Sequence, residues 1–256
     1  MSGLKTKIEM NKPSICFHCG SANIIKYGKT YYGKARCKCQ DCKRQFVAKR
    51  TYKVLTPAQK ELIGKLLLER ISLEGICRVL EISTYHLYTY MDELYEEIPQ
   101  DLYISELLTS SKDIDLQCFE YENDEAWSFV GHKGNKQCIW VAMHRQSRMV
   151  VGLFIGDRGT SGAEGLWNSI PQAMRENAIY HTDDWDAYKK VFDKADHRPS
   201  KFKKNTNHIE RFWATLRQRC SRLVRLTLSF SKIQIRHQNA IRYFIALYNL
   251  SLPLHL

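Results

Sequence analysis

No stretch of the 256-residue sequence comes near the roughly 18 consecutive apolar residues of a membrane-spanning helix. The opening, MSGLKTKIEM, holds no apolar run that could act as a secretory signal. Both absences predict a cytoplasmic protein with no membrane partner. They also argue against a secreted disulfide framework, so the nine cysteines are read as metal ligands or buried thiols. Neither an internal repeat nor a low-complexity tract appears, and the organisation must therefore be read from motifs. The most informative scarcity is of negative charge. From Met1 to Lys60 there are 14 Lys and Arg against two Asp and Glu, and from Arg198 to Arg236 there are 11 against one, whereas Glu61 to His197 carries 13 against 24.

Two basic blocks around an acidic middle, in a chain of net charge +12, point to nucleic acid contacted at two places. Clustered Lys and Arg neutralise phosphates and release counterions, which a scattered basic surface does less well.

In the first block, Cys16-x2-Cys19 and Cys39-x2-Cys42 have the spacing of a four-cysteine zinc site, each pair on a tight turn with the thiolates closing a tetrahedral shell. Short strands between the pairs, punctuated by Gly28 and Gly33, predict a zinc ribbon over residues 11–50. A closed shell leaves no position for chemistry, so this Zn²⁺ is structural. Cys37 competes with Cys39 for a place in the site, and the regular spacing favours Cys39.

Thr56-Pro57 reads as an N-cap with proline at the first helical position, opening AQKELIGKLLLERI. Ser72 caps a short helix, LEGICRVL, and EIS leads into TYHLYTYMDELYEEI. Three helices with a tight second connection predict a helix-turn-helix over residues 54–98, with Thr84, Tyr85, His86 and Thr89 facing DNA. A small helical core with no DNA role is the competing reading. Ile98-Pro99 ends the helical pattern, and residues 99–113 read as a linker.

Residues 114–256 then change character. CFEYENDEAWSFVGH, QCIWVAMHR and RMVVGLFIG are strand-like runs, followed by helix, a short strand and helix, which predicts a mixed α/β domain with one central sheet. Three carboxylates stand out: Asp124 in an apolar-aromatic strand, Asp183 at the end of another, and Glu210 alone among the arginines of HIERFWATLRQRCSRLVR. Converging carboxylates repel, so such a cluster usually marks a divalent cation, and oxygen-only ligands favour Mg²⁺ or Mn²⁺ over zinc. At ~100° per residue, Ile209, Phe212, Trp213, Leu216, Cys220 and Leu223 form one apolar stripe with Glu210 and Arg217 on its flank. A surface salt bridge of Glu210 with a neighbouring arginine is the plainer alternative.

The NDEAW…VG strand, HTDDW…Y and NHIERFWATLRQRCSRLVRLTLSFSK resemble the catalytic motifs of the insertion-sequence-one family of bacterial DDE transposases. The resemblance runs from about Cys16 to Lys232, since that family carries a four-cysteine zinc element and a helix-turn-helix before an RNase H-like core. It implies a catalytic triad of Asp124, Asp183 and Glu210 holding Mg²⁺ or Mn²⁺, with cleavage at transposon ends and transfer of the 3′-hydroxyl to target DNA. It further implies double-stranded DNA as partner, a homodimer or higher oligomer, and a nucleoid-associated location. Arg158, in a Gly-acid-Arg element, and Lys203, Lys204, Arg211, Arg217, Arg219 and Arg222 are the expected DNA contacts in this domain. Glu122 and Glu125 flank the first aspartate, and alternation along a strand leaves Asp124 and Glu125 open, so the family motif makes that choice. Asp184 stands where the motif has glycine. A DNA-binding regulator and an RNase H-like nuclease without strand transfer are the alternative functions.

Overall fold

Strand β5 (Lys136–His144) is buried along almost its whole length, and its side chains divide by parity. Ile139, Val141 and Met143 enter one hydrophobic core, while Cys138, Trp140 and Ala142 enter another. A strand with two buried faces must lie inside a sheet covered on both sides, which is why QCIWVAM reads as an unbroken apolar run. The computed structural model that shows this describes residues 15–16, 18–47, 55–110, 119–200, 206–223 and 229–253. Lys203 and Lys204 lie outside the described residues. The chain falls into two units, Met1–Val54 and Leu55–Leu256.

The first unit is a three-stranded antiparallel sheet of β1 (Ile24–Lys29), β2 (Ala35–Cys39) and β3 (Gln45–Val47). The β1–β2 register slips between Lys26 and Lys29, where Gly28 takes φ +69°, a left-handed conformation that favours glycine. Its core consists of Cys16, Ile24, Cys37, Cys39 and Phe46. So small a core supports little stability unaided.

The second unit begins with α1 (Pro57–Leu66), α2 (Leu73–Leu80) and α3 (Thr84–Glu96). Two caps stand where the sequence places them: Thr56 forms a capping box with Gln59, and Ser72 accepts from Gly75 N; Ser83, in the EIS connector, also caps, accepting from His86 N. Glu81 at φ 51° turns the chain between α2 and α3, completing a helix-turn-helix. Residues 99–113 contain α4 (Ile104–Ser110), whose Ile104 and Leu107 are buried.

The main sheet comprises β4 (Phe119–Phe129), β5, β6 (Val150–Gly156), β7 (Ala178–Thr182) and β8 (His197–Pro199), in the order β6-β5-β4-β7-β8. β4, β5 and β6 are antiparallel, whereas β7 lies parallel to β4 and β8 parallel to β7. This mixed order with a central β4 is the RNase H-like arrangement. One face carries α5 (Thr160–Ser169), α6 (Gln172–Arg175) and α7 (Asp186–Lys189). α5 approaches closely because Gly162 has no Cβ, which would sit 2.5 Å from the Trp140 ring. The other face carries α8 (Asn207–Arg219), α9 (Gln234–Leu250) and the helix-turn-helix, all in one continuous core with Val141, Met143 and Phe212.

β8 and α9 were not anticipated from sequence. β8 is three residues ending in proline. α9 starts at Ile233 without a side-chain cap, and its buried residues are spread along all its turns, so neither a start signal nor a single apolar stripe marks it. Among the described residues, no helix is long and apolar enough to cross a membrane.

Candidate active site

Parallel pairing of β4 with β7 sets Phe119 against Ala178 and Glu122 against His181. The pairing ends there, and Asp124 and Asp183 each stand two residues farther along the chain, at the same end of the sheet. Helix α8 supplies the third carboxylate. Asp124, Asp183 and Glu210 all line one cavity of about 660 Å³, together with Arg158, Asp184 and Trp185.

What holds α8 against β4 is a second carboxylate from the same face of the strand. Glu122 is fully buried, and its Oε2 accepts from the backbone N–H groups of His208 (2.9 Å) and Ile209 (3.0 Å). Those are the second and third amides of α8, whose own N-cap residue, Thr206, makes no side-chain cap. Glu122 therefore caps the helix from the sheet, and its negative charge also suits the positive end of the helix dipole. Its Oε1 lies 2.5 Å from His208 Nδ1 and 3.6 Å from Arg145 Nε. Farther along, Trp213 Nε1 donates to Asp124 Oδ2 at 2.9 Å. From Glu122 to Asp124 the strand advances about 6.6 Å, and from Ile209 to Trp213 the helix rises about 6 Å, so the two ties match in spacing. Glu210 lies between them.

Strand alternation sends Glu125 to the opposite face. There its Oε1 accepts from Arg158 (2.8 and 3.1 Å) and its Oε2 from Tyr188 Oη (2.9 Å). Burial raises the Glu125 pKa, against the pull of Arg158 and Tyr188. Burial likewise pushes the Asp124 carboxyl up to about 7, reinforced by the negative charge of Glu125 and opposed in part by the Trp213 hydrogen bond. A carboxylate in such a setting gains from a nearby cation. Arg158 supplies positive charge at the rim, stacked 4.3 Å over Trp185. Asp183 Oδ1 accepts from Trp185 N, while Asp184 pairs with Lys189 at 2.7 Å.

The other expected residues are distributed as follows. Arg217 and Arg222 line an adjoining cavity. Arg211 is exposed on α8. Arg219 turns to the helix-turn-helix side, donating to Leu68 O and meeting Glu69. Thr84, Tyr85 and Thr89 are exposed at the start of α3, and His86 Nδ1 lies 3.0 Å from Ser83 Oγ. In the first unit, the sulfur atoms of Cys16, Cys19, Cys39 and Cys42 all lie within 4.8 Å of one another, an arrangement that could hold a zinc ion. Backbone hydrogen bonding at Cys42 draws the Cys39 thiol down to about 7. Cys37 is buried in the small core outside this quartet. Among the described residues, the quartet is the one group of three or more Cys, His, Asp or Glu side chains so closely packed. The three carboxylates stand farther apart. Neither the capping role of Glu122 nor the Trp213–Asp124 bond was foreseen; the only sequence signal was an acidic residue two positions before Asp124 in an apolar strand.

Comparison with known proteins adds an independent line. Residues 116–250 match the family model for the IS1 transposase. The insertion element IS1 protein InsB of Shigella flexneri is 33% identical over 124 residues, which is 48% of this chain and 92% of that protein. The IS1 4 protein InsB of Escherichia coli K12 is 33% identical over 124 residues and 72% of its length. Among solved structures, a pre-cleavage Mos1 transpososome aligns over 79% of each chain at 9% identity and a TM-score of 0.28.

Proposed function

The chain belongs to the IS1 transposase family, and from that premise we propose that it binds the ends of an insertion element, cleaves there, and joins the freed 3′-hydroxyl ends to target DNA. The observation that carries this reading is the shared cavity of Asp124, Asp183 and Glu210, one from each of three separate elements.

The donor set fits hard divalent cations: Asp124, Asp183 and Glu210, with Asp184 as a fourth carboxylate engaged by Lys189, no thiol or imidazole among the described residues lining the cavity, and one carboxyl, Asp124, whose charge is disfavoured by burial. Asp124, Asp183 and Glu210 would hold Mg²⁺ or Mn²⁺. When bound, such ions activate a hydroxyl or water nucleophile and stabilise the leaving oxygen of an in-line displacement at phosphorus. The protein's own groups have separate tasks. Trp213 orients Asp124, Glu122 fixes the helix that carries Glu210, and Arg158 faces the phosphate with a guanidinium positioned by Glu125 and Trp185. Cleavage and joining are the same displacement, with water as the first nucleophile and the 3′-hydroxyl as the second.

Recognition is assigned to the exposed start of α3, through Thr84, Tyr85, His86 and Thr89 in the major groove, and to the basic ribbon. Arg211, Arg217 and Arg222 hold the DNA backbone beside the cavity, whereas Arg219 is engaged with Leu68 and Glu69 and contributes less; Lys203 and Lys204 stand as DNA contacts on sequence alone. Pairing two ends calls for at least two copies of the chain.

The test is Glu210→Gln on DNA carrying the element's own ends in Mg²⁺. Cleavage should fall by about three orders of magnitude or more, with end binding retained. Wild-type cutting by the variant would remove Glu210 from the site, and a wild-type protein that nicks but yields no covalent joint to a target duplex would reduce the activity to a nuclease.

A further inference from the structure

Glu122, His181 and His208 each stand two residues before one of the carboxylates Asp124, Asp183 and Glu210, and all three belong to a cluster built around one side chain, Arg145. This residue follows the last of β5, and its backbone N–H donates to Glu120 O at 2.8 Å, which holds it beside β4. From there the guanidinium reaches across β4 toward β7. Its Nη1 donates to Glu120 Oε2 at 2.9 Å and lies 3.4 Å from His181 Nε2, while its Nε stands 3.6 Å from Glu122 Oε1. His181 Nε2 is also 3.1 Å from Glu120 Oε2, and Glu122 Oε1 meets His208 Nδ1. One arginine thus engages β4 and β7 directly, and α8 through the carboxylate that caps it.

A surface salt bridge does not account for this arrangement. A pair with half-exposed Glu120 alone would contribute little and would need no further partner. Glu122 is fully buried and His181 is nearly so, and a carboxylate at that depth is costly without a cation opposite it. Arginine suits several partners at once because its guanidinium is a rigid planar fork of five donors, where lysine offers a point charge on a flexible stem. Arg145 stands outside the cavity of Asp124, Asp183 and Glu210; with Glu120 and His208 it lines a different one, of about 360 Å³. Its influence on the reacting centre therefore passes through other residues.

We propose that Arg145 is a positioning residue of the catalytic centre: its guanidinium fixes β4, β7 and the start of α8 relative to one another, and so sets the separations among Asp124, Asp183 and Glu210. The proposal rests on the transposase reading and adds to it a residue that acts without touching DNA.

The test uses zinc-loaded full-length protein. Arg145→Lys keeps a positive charge opposite Glu122 and loses the fork, so melting should hold while the carboxylates lose their spacing. Mn²⁺ binding, followed by electron paramagnetic resonance of the free ion, should weaken by about ten-fold. Turnover on the element's own ends should fall by about the same factor, with KM for the DNA within about two-fold of wild type. Wild-type Mn²⁺ affinity and turnover in Arg145→Lys would overturn the proposal, because charge alone would then suffice. Parallel losses of melting, DNA affinity and turnover would overturn it too, leaving Arg145 a structural residue. If Arg145→Lys does not fold, Glu120→Gln decides, since it loosens the guanidinium and His181 at a half-exposed position: weaker Mn²⁺ binding at wild-type melting supports the proposal, and unchanged binding overturns it. Glu210→Gln is the control for the reading beneath. Mn²⁺ binding that this variant leaves intact brings down the active-site assignment and the proposal with it, whereas binding lost in Glu210→Gln but normal in Arg145→Lys removes Arg145 alone.

Discussion

Four thiols and three carboxylates make two candidate metal centres in one chain, and they are assembled by opposite strategies. The thiols come from two short turns 26 residues apart at most, and they already touch: Cys16 and Cys42 sulfurs lie 3.7 Å apart, Cys19 and Cys39 3.6 Å. The carboxylates come from a strand interior, a strand end and a helix, 86 residues apart between Asp124 and Glu210, and share a cavity without such close packing. A local centre positions its own ligands by turn geometry. The distributed one depends on residues that are not ligands, and the accuracy of its geometry resides in Glu122, Trp213 and the β4–β7 register.

The largest effect expected from this contrast is removal of metal from the thiol centre. With a core of five buried residues, the first unit has little besides the ion to hold it, and structural zinc sites contribute apparent free energies of about 10–16 kcal/mol. Chelation of zinc, or Cys16→Ser, should therefore unfold the first unit, read as loss of amide protection at residues 24–47. Residues 55–256 should keep theirs. Retained protection in the zinc-free first unit would mean that the ribbon is not metal-built.

Breaking the scaffold of the distributed centre is the next step down. Glu122→Ala removes the cap of α8 and leaves two buried amides unpaired, which costs about 2–4 kcal/mol. It should also move Glu210 and lower turnover by about 10- to 100-fold with little change in DNA affinity, since misplacement by about an ångström is enough. Glu122→Gln, which retains an acceptor oxygen, should recover part of both. A Glu122→Ala protein with wild-type melting and turnover would show that the two ties do not set the site.

These strategies also explain what could be read without coordinates. Spacing alone located the cysteine quartet, because its geometry is local, and the helix caps at Thr56 and Ser72 were legible for the same reason. Asp124 and Glu125 could not be told apart, since adjacent strand residues face opposite ways and only the packed sheet says which face meets α8. Glu122 was invisible in its role because its partners, the amides of His208 and Ile209, are 86 and 87 residues distant. The cavity itself depends on a parallel register that no local pattern encodes.

A smaller effect separates the units by pH. Burial holds His237 down at about 4, and it lowers His144 and His197 as well. A group whose folded pKa is depressed gives its full stability above the unfolded value of about 6.5 and loses it as pH falls toward the folded one. These histidines therefore contribute a loss of stability to residues 55–256 between pH 6.5 and 4, of at most about 1.4 kcal/mol per pH unit each, set against a gain of opposite sign from Asp124, whose raised pKa favours the folded state as pH falls through about 7. His237→Gln should reduce that slope by close to one proton, measured by urea titration at several pH values. An unchanged slope would place the acid sensitivity elsewhere.

The smallest effect tests which aspartate belongs to the distributed centre. Asp183 and Asp184 are adjacent and both line the cavity, but Asp184 is engaged by Lys189 in a half-exposed pair. Such pairs contribute about 0–1 kcal/mol, so Asp184→Gly, which restores the residue expected from the family motif, should leave melting nearly unchanged and cleavage within about three-fold, because a surface pair of this kind has no part in transition-state stabilisation. Asp183→Asn should instead behave like Glu210→Gln. If the two variants exchanged phenotypes, the strand end would have to be read one residue later, and Asp184 rather than Asp183 would share the site with Asp124.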